Sequence, residues 1–135
     1  MKEKPIVAHD LVITALQKTD SLPCHLLLIA DPSKHTIDKY ISDSIVYKAD
    51  LKGRTIGCYA LFGVDNETVE IKNIAVDESF QGKGIGTILL NDAIEKAKLK
   101  GLKKIIIGTG NSSVGQLYLY QKVGFRITGK KPDFF

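Results

Sequence analysis

The stretch "NIAVDESFQGKGIGTILLNDAIEKAK", residues 73 to 98, passes from a short apolar segment through three glycines into a pattern with helical periodicity. Gly82, Gly84 and Gly86 fall at the expected start of that helix, where each glycine costs roughly 1 kcal/mol relative to alanine. A helix start leaves several backbone N–H groups without partners and carries about half a positive charge. Because glycines let a ligand approach these groups without Cβ clashes, the segment predicts an anion-binding turn.

Helix packing and nucleotide binding account for the three glycines less well. Close packing of the helix on a strand accounts for one glycine more easily than for three. A Walker loop requires GxxxxGK[ST], which this stretch does not contain. A dinucleotide fingerprint, GxGxxG, would place its last glycine at Thr87 and would follow the first strand of a βαβ unit, whereas antiparallel strands are expected here.

Three β-branched and aromatic runs before the glycines indicate a meander of antiparallel strands. They are "SIVYKAD", "RTIGCYALFGV" and "TVEIKNIAV", separated by the short turns "LKG" and "DNE". Upstream, "DLVITALQ" predicts a first strand. Two short helices follow it, "SLPCHLLLIAD", begun by Ser21 with Pro23 in its first turn, and "SKHTIDKYIS", with Ile37 and Ile41 on one face.

The second half of the chain predicts a βαβ crossover. Residues 84–100 form the strongest helical pattern, and Gly101 follows in the C′ position. The wholly apolar "KKIIIGT" is typical of a central parallel strand, and "SVGQLYLYQKV" and "FRITGK" predict a last helix and strand. The order is β-α-α-β-β-β-α-β-α-β, an α/β fold with a mixed, mostly antiparallel twisted sheet and flanking helices.

Composition favours one globular domain over residues 1–135. The 135 residues are 44% hydrophobic and 25% charged, and no apolar run approaches the roughly 18 residues of a membrane span. The first residues lack the pattern of a secretory leader, so we expect a cytoplasmic protein without a membrane partner. Cys24 and Cys58 share no metal-ligand spacing with each other or with the histidines, so we expect structural thiols and no metal site.

The positive charge does not predict nucleic-acid binding. The net charge of +4 is spread along the chain, and the densest segment, "KAKLKGLKK", ends the predicted helix. Lysines at that end interact favourably with the helix dipole. Without a basic stripe interleaved with aromatics, we expect no nucleic-acid partner.

Two motifs at the expected separation resemble the GNAT superfamily of acetyl-CoA-dependent N-acetyltransferases. The first is QxxGxG, written here as Gln81, Gly84 and Gly86 after an apolar strand. The second is "LYLYQKVGF", which is similar to the LYxKxGF segment of the superfamily and places Tyr120 four residues before Gly124. The resemblance extends over about residues 10 to 130 and implies a GNAT-like acyl-CoA N-acyltransferase fold, with acetyl-CoA as cosubstrate and no metal.

The resemblance also implies a binding mode for acetyl-CoA. The strand "EIKNIAV" would pair with the pantetheine arm and supply a backbone N–H to the oxyanion, in a cleft that opens toward "KKIIIGT". The glycine turn would hold the pyrophosphate. The implied cofactor-binding residues are Ile74, Ala75, Val76, Gln81, Gly82, Lys83, Gly84, Ile85, Gly86 and Thr87.

Proton transfer would involve two further residues. Tyr120 takes the superfamily position of the acid near the CoA sulfur. Glu70 is the only carboxylate in the strand that leads to the thioester, so it is the candidate base, acting through water. The alternative for Glu70 is a solvated pair with Lys72 on one face of the strand.

One departure from the superfamily pattern concerns an asparagine seven residues before the tyrosine. That position is Ser113 here, whereas Asn111 lies nine before it. Either the preceding loop is two residues longer or Ser113 makes the contact. Both residues are therefore candidate CoA contacts.

The function implied is transfer of an acetyl group from acetyl-CoA to a primary amine of a small molecule or peptide, by direct attack in a ternary complex. The alternative is a catalytically weak acetyl-CoA sensor or interaction module of the same fold. The sequence does not name the acceptor. The tail "KKPDFF" ends on Phe134 and Phe135, which we expect to pack in the cleft or across a homodimer interface.

Overall fold

The computed structural model describes residues 5–107 in full and residues 125–128 and 131–134 as backbone. Among these residues, seven strands form one sheet in the order β1-β2-β3-β4-β5-β7-β6. The elements are β1 (Leu11–Ala15), α1 (Cys24–Ala30), α2 (Lys34–Tyr40), β2 (Ser44–Leu51), β3 (Arg54–Gly63), β4 (Thr68–Val76), α3 (Ile85–Leu99), β5 (Lys104–Ile107), β6 (Phe125–Thr128) and β7 (Lys131–Phe134). Three short 3-10 turns, at residues 8–10, 41–43 and 78–80, connect them.

The predicted fold class is confirmed. Strands β1 to β4 pair antiparallel in chain order, and β4 and β5 pair in parallel on either side of α3 in the sequence. The crossover through α3 is the predicted βαβ unit. The predicted last helix, "SVGQLYLYQKV", lies outside the described residues.

The predicted element order is wrong by one strand, because it did not include β7. Pro132 lies in this segment and has no backbone N–H, a feature that argues against a strand inside a sheet. The structure nevertheless places β7 between β5 and β6, with Ile106 opposite Asp133 and Phe125 opposite Phe134. The pairing of this segment with the two neighbouring strands therefore outweighs its weak local preference for a strand.

The helix boundaries follow capping residues. α1 begins at Cys24 with Pro23 as its N-cap, so the predicted start at Ser21 is wrong by a few residues. α2 begins after Ser33, whose hydroxyl oxygen accepts from the Thr36 N–H at 3.2 Å. α3 ends as predicted, with lysines in its last turn and Gly101 at a φ of 76°.

The sheet has one buried cluster on each face. The α3 face is packed by α3, and the α1/α2 face by the two short helices. Members of the α3 face include Ile56, Leu61, Val69, Ile71, Leu89, Leu90 and Ile105, and members of the α1/α2 face include Leu26, Leu27, Ile37, Tyr40, Cys58, Ala60 and Ala75. Each buried aliphatic side chain contributes about 1.5–3 kcal/mol of transfer free energy.

An aromatic pair fixes α3 on its face of the sheet. The rings of Tyr47 and Tyr59 stack with centroids 4.9 Å apart, and the Tyr59 hydroxyl donates a hydrogen bond to Asp92 of α3. Burial raises the pKa of Tyr59, so its hydroxyl remains a donor at neutral pH. Lys96, one turn later, contacts Asp92 at 3.2 Å.

A β-bulge interrupts β4 before the segment expected to bind pantetheine. In the register with β3, Ala60 pairs with Asn73 but Leu61 pairs with Ile71, so Lys72 is an extra residue. An extra residue bends its strand and shifts the alternation of the side chains by one. This shift decides which side chains of β4 point to which face.

The burial pattern on either side of the bulge shows that shift. Val69 and Ile71 pack on the α3 face before it, whereas Ile74 and Val76 do so after it. Ala75 accordingly lies on the α1/α2 face. A regular strand would place residues separated by an odd number on opposite faces.

Candidate functional site

The glycine turn between β4 and α3 has a left-handed backbone at two positions. Gly82 has a φ of 77° and Gly84 a φ of 83°, values at which a residue with a Cβ is strained. A Cβ built on either glycine would meet no atom of the described residues within 4 Å. Close packing of helix on strand therefore does not explain these two glycines.

The start of α3 offers backbone donors without a partner inside the helix, next to this turn. Gly84 is the N-cap and provides no side chain to cap the helix. The first intrahelical bond joins the Ile88 N–H to the Gly84 carbonyl oxygen at 3.2 Å, so the N–H groups of Ile85, Gly86 and Thr87 have no partner within the helix. Residues 81–84 are exposed, so an anion could approach from solvent.

Side-chain hydrogen bonds determine the shape of the turn. The Gln81 amide donates to the Val76 carbonyl oxygen at 3.0 Å and ties the turn to the end of β4. Asp77 accepts from the Ser79 N–H at 2.9 Å, and this hydrogen bond holds the pKa of the Asp77 carboxyl below its usual range. The Gln81 side chain thus supports the backbone of the turn.

Arg54, at the start of β3, also contacts this segment. Its guanidinium lies 3.6 Å from the Asp77 carboxylate and 5.4 Å from the centre of the Phe80 ring. The Asp77 N–H in turn donates to the Ile56 carbonyl oxygen at 2.8 Å. Contacts from β3 therefore hold the connection between β4 and the glycine turn.

Among the described residues, the pairing between β4 and β5 covers only the first part of β4. The parallel register runs from Thr68 opposite Lys104 to Ile71 opposite Ile107, while β4 continues to Val76. Within the described part of the chain, no strand pairs with the β5 side of residues 74–76. The predicted pairing of Ile74, Ala75 and Val76 with pantetheine requires this arrangement.

Glu70 is a buried carboxylate on β4. Its side chain is 7% exposed, and Lys72 Nζ lies 3.5 Å from its Oε1. The Lys72 ammonium also stands 5.3 Å from the centre of the Phe62 ring, which borders the α1/α2 face. The alternative considered for Glu70, a solvated pair with Lys72, is correct as to the pair, but Glu70 itself is buried.

Asn73 is a buried polar residue that sequence reasoning missed. Its amide nitrogen donates to the Leu27 carbonyl oxygen at 3.0 Å and to the Tyr40 hydroxyl at 3.1 Å. Its Oδ1 is buried and has no hydrogen-bond partner among the described residues. The signal in the sequence was a single asparagine between the apolar residues of "IKNIAV".

Glu70, residues 74–76 and the glycine turn lie along β4 and its connection to α3. Tyr120, Asn111 and Ser113 lie outside the described residues. A groove of about 440 Å³ between β1 and α3 is lined by none of those predicted site residues that the structure describes. Cys58 is buried and Cys24 exposed, and both thiols are free.

Membrane spans and metal sites are both absent from the residues that the structure describes. None of the helices there has both the length and the apolar character of a membrane span. Nor do the histidines, cysteines and carboxylates of these residues form a group that could hold a metal ion.

A family model and a known protein that match this chain both describe acetyltransferases. The model of the acetyltransferase (GNAT) family matches residues 17–125. The uncharacterized N-acetyltransferase YvbK of Bacillus subtilis is 54% identical over 110 residues, which are 82% of this chain and 71% of that protein.

Two solved structures are similar in both fold and sequence. A GNAT family acetyltransferase from Elizabethkingia anophelis with acetyl-CoA bound superposes with a TM-score of 0.85 at 55% identity, over 89% of this chain and 78% of that one. A Bacillus subtilis acetyltransferase in complex with CoA gives a TM-score of 0.80 at 49% identity, over 88% and 78% of the two chains.

Proposed function

Since this chain belongs to the GNAT family of acetyltransferases, we propose that it moves the acetyl group of acetyl-CoA to a primary amine of a small molecule or peptide. The amine attacks the thioester directly while both substrates are bound. The observation that carries the proposal is the glycine turn, where two left-handed glycines lie beside the first N–H groups of α3 and, among the described residues, leave the space next to them open.

The turn and the end of β4 bind the two halves of the cosubstrate. The pyrophosphate accepts hydrogen bonds from the backbone of residues 82–87 and is favoured by the positive end of the helix dipole. Pantetheine pairs with the β5 side of residues 74–76 as an added strand does. Similar proteins have been solved with acetyl-CoA and with CoA bound, which supports acetyl-CoA as the cosubstrate.

The chemistry requires the amine to lose a proton before it attacks. A primary amine is mostly protonated at neutral pH, so a base raises the fraction that can react. Glu70 takes this proton through water, and Tyr120 returns one to the departing CoA thiolate. A backbone N–H of β4 near the bulge stabilises the oxyanion of the tetrahedral intermediate.

The test is release of the CoA thiol with a panel of amines: polyamines, aminoglycosides, amino acids and peptides with free N-termini. We expect at least one class to raise CoA release well above the rate with acetyl-CoA alone, and Glu70→Gln to reduce that rate. If acetyl-CoA binds but no member of the panel raises CoA release, the acetyl-CoA sensor is the better description.

A further inference from the structure

Lys72 carries a primary amine into the candidate site. It is the extra residue of the β4 bulge, between the candidate base Glu70 and the segment proposed to bind pantetheine. Its Nζ lies 3.5 Å from Glu70 Oε1. An amine of this chain therefore lies next to the carboxylate that is proposed as the base.

The surroundings of Lys72 hold its ammonium there. The Phe62 ring, whose centre is 5.3 Å from Nζ, offers a cation–π contact on the same face of the sheet as Glu70. The Lys72 side chain is 30% exposed, so it is partly covered but can be reached from solvent. By contrast, the ammonium groups of Lys34 and Lys103 belong to side chains that are 76% and 75% exposed.

Two other lysines are equally covered but lie elsewhere. Lys48 on β2 is 29% exposed and 3.8 Å from Asp50, and Lys96 on α3 is 28% exposed and 3.2 Å from Asp92. They share with Lys72 a carboxylate partner and partial burial. They do not share its place on β4, so they are matched controls for reactivity that burial and ion pairing alone would cause.

We propose that Lys72 is an acetylation site of the protein itself, modified in cis by acetyl-CoA when no acceptor amine is bound. This inference rests on the proposed function, because it uses the same cosubstrate and the same carboxylate. It adds a modified residue and a form of regulation to that function.

The reaction balances without a further reagent. The Lys72 ammonium gives one proton to Glu70, and the free amine attacks the thioester carbonyl carbon. A C–N bond forms, the tetrahedral intermediate loses the second N–H proton to water, and the C–S bond breaks. The CoA thiolate leaves and is protonated, so the products are N-acetyl-lysine, CoA with a free thiol and one proton.

Acetylation would change the acceptor side of the site in two ways. The neutral amide of N-acetyl-lysine no longer forms an ion pair with Glu70 or a cation–π contact with Phe62. Its acetyl group also adds bulk beside the carboxylate. We therefore expect the modified protein to transfer acetyl groups to external amines more slowly, so that a shortage of acceptor switches the enzyme down.

The experiment incubates the full chain with isotope-labelled acetyl-CoA without any amine and measures each lysine by peptide mass spectrometry. We expect Lys72 to be acetylated about tenfold or more faster than Lys48, Lys96, Lys34 and Lys103, because its amine lies beside Glu70 on the strand proposed to bind pantetheine. The rate should be independent of protein concentration, as a reaction in cis requires, and should fall in Glu70→Gln.

Several results would overturn the inference. Lys72 could react no faster than the matched lysines, or its rate could rise with protein concentration. Acetyl phosphate, which lacks the CoA moiety, could give the same preference for Lys72 and so show ordinary chemical reactivity. Preincubation with acetyl-CoA should slow transfer to an added amine in the parent protein but not in Lys72→Arg, and equal slowing of both would also contradict it.

The same samples separate this inference from the proposed function. If the amine panel releases CoA while Lys72 stays unmodified, self-acetylation is wrong and the transferase proposal stands. If neither the panel nor Lys72 reacts, both are wrong. If Lys72 is acetylated in cis, the inference holds whichever amines the panel contains.

Discussion

The side-chain amide nitrogen of Asn73 on β4 lies 3.1 Å from the phenol oxygen of Tyr40 on α2. A second bond from the same nitrogen reaches the Leu27 carbonyl oxygen of α1 at 3.0 Å. Both helices are therefore joined to the strand that carries Glu70, through a residue that is 3% exposed. Because buried hydrogen bonds are costly to leave unmade, this network positions the α1/α2 face relative to the candidate site.

Asn73→Ala should lower the free energy of unfolding by about 1–3 kcal/mol, because it removes both donated hydrogen bonds from a buried position. Tyr40→Phe removes only one partner and should cost about 0.5–1.5 kcal/mol. Urea denaturation measures both values. A loss in Tyr40→Phe equal to that in Asn73→Ala would show that the bond to Leu27 contributes nothing.

Gly84→Ala should weaken acetyl-CoA binding, whereas Gly101→Ala should not. The two glycines have φ values of 83° and 76°, and at neither would a Cβ meet an atom of the described part of the chain within 4 Å. Both substitutions should therefore cost about 1–2 kcal/mol of stability from backbone strain. Calorimetric titration with CoA then measures the change in CoA affinity separately from the loss of stability. Equal affinities in the two variants would place the pyrophosphate elsewhere.

Acetyl-CoA should raise the melting temperature of the protein by mass action. At a hundredfold excess over its dissociation constant the native state gains about 2.7 kcal/mol. For a domain of this size the shift is on the order of 5 to 10 °C by scanning calorimetry. A melting temperature that does not move at millimolar acetyl-CoA would contradict the assignment of the glycine turn.

Glu70→Gln should lower turnover by about 10²–10⁴-fold at low pH, where few amine molecules are unprotonated, and by less at high pH. The affinity for acetyl-CoA should change little, because the substitution keeps the shape of the side chain. Glu67→Gln is the matched control, since Glu67 is 65% exposed and pairs with Lys103. A pH profile of Glu70→Gln parallel to that of Glu67→Gln would remove Glu70 from the mechanism.

Tyr120→Phe should lower turnover by about 10²–10⁴-fold, because it removes the proposed acid for the CoA thiolate. The turnover of Tyr118→Phe should stay within a few fold of that of the parent protein. Tyr118 lies two residues from Tyr120, and on a helix this separation turns the side chain by about 200°. Both residues lie outside the described part of the chain, so this prediction depends on the LYxKxGF resemblance. Single-turnover kinetics compare the variants, and the opposite order would show that the predicted helix has a different register.

The elements with strong periodic patterns were predictable from the sequence. The meander and α3 were found because local preferences and burial agree there: apolar residues alternate along strands that have one buried face, and they recur every three or four residues along α3. The glycine turn was predictable because glycine is unfavourable at a helix start, so Gly82 and Gly84 there indicated a backbone that a ligand approaches closely. Pro132 concealed β7, since its local preference opposes a pairing that the neighbouring strands supply.

The sequence by itself determined the family, the order of most elements and the position of the glycine turn, because these depend on short-range patterns of residue type. Only the tertiary structure decided to which face of the sheet each side chain of β4 points and which residues it contacts. The bulge at Lys72 shifts the alternation of the side chains by one residue. The hydrogen bonds of Asn73 reach Leu27, which is 46 residues away in the sequence, and Tyr40, which is 33 residues away. Such contacts depend on strand register and helix docking, which arise from the packing of the whole sheet and leave no periodic signal in the segments concerned.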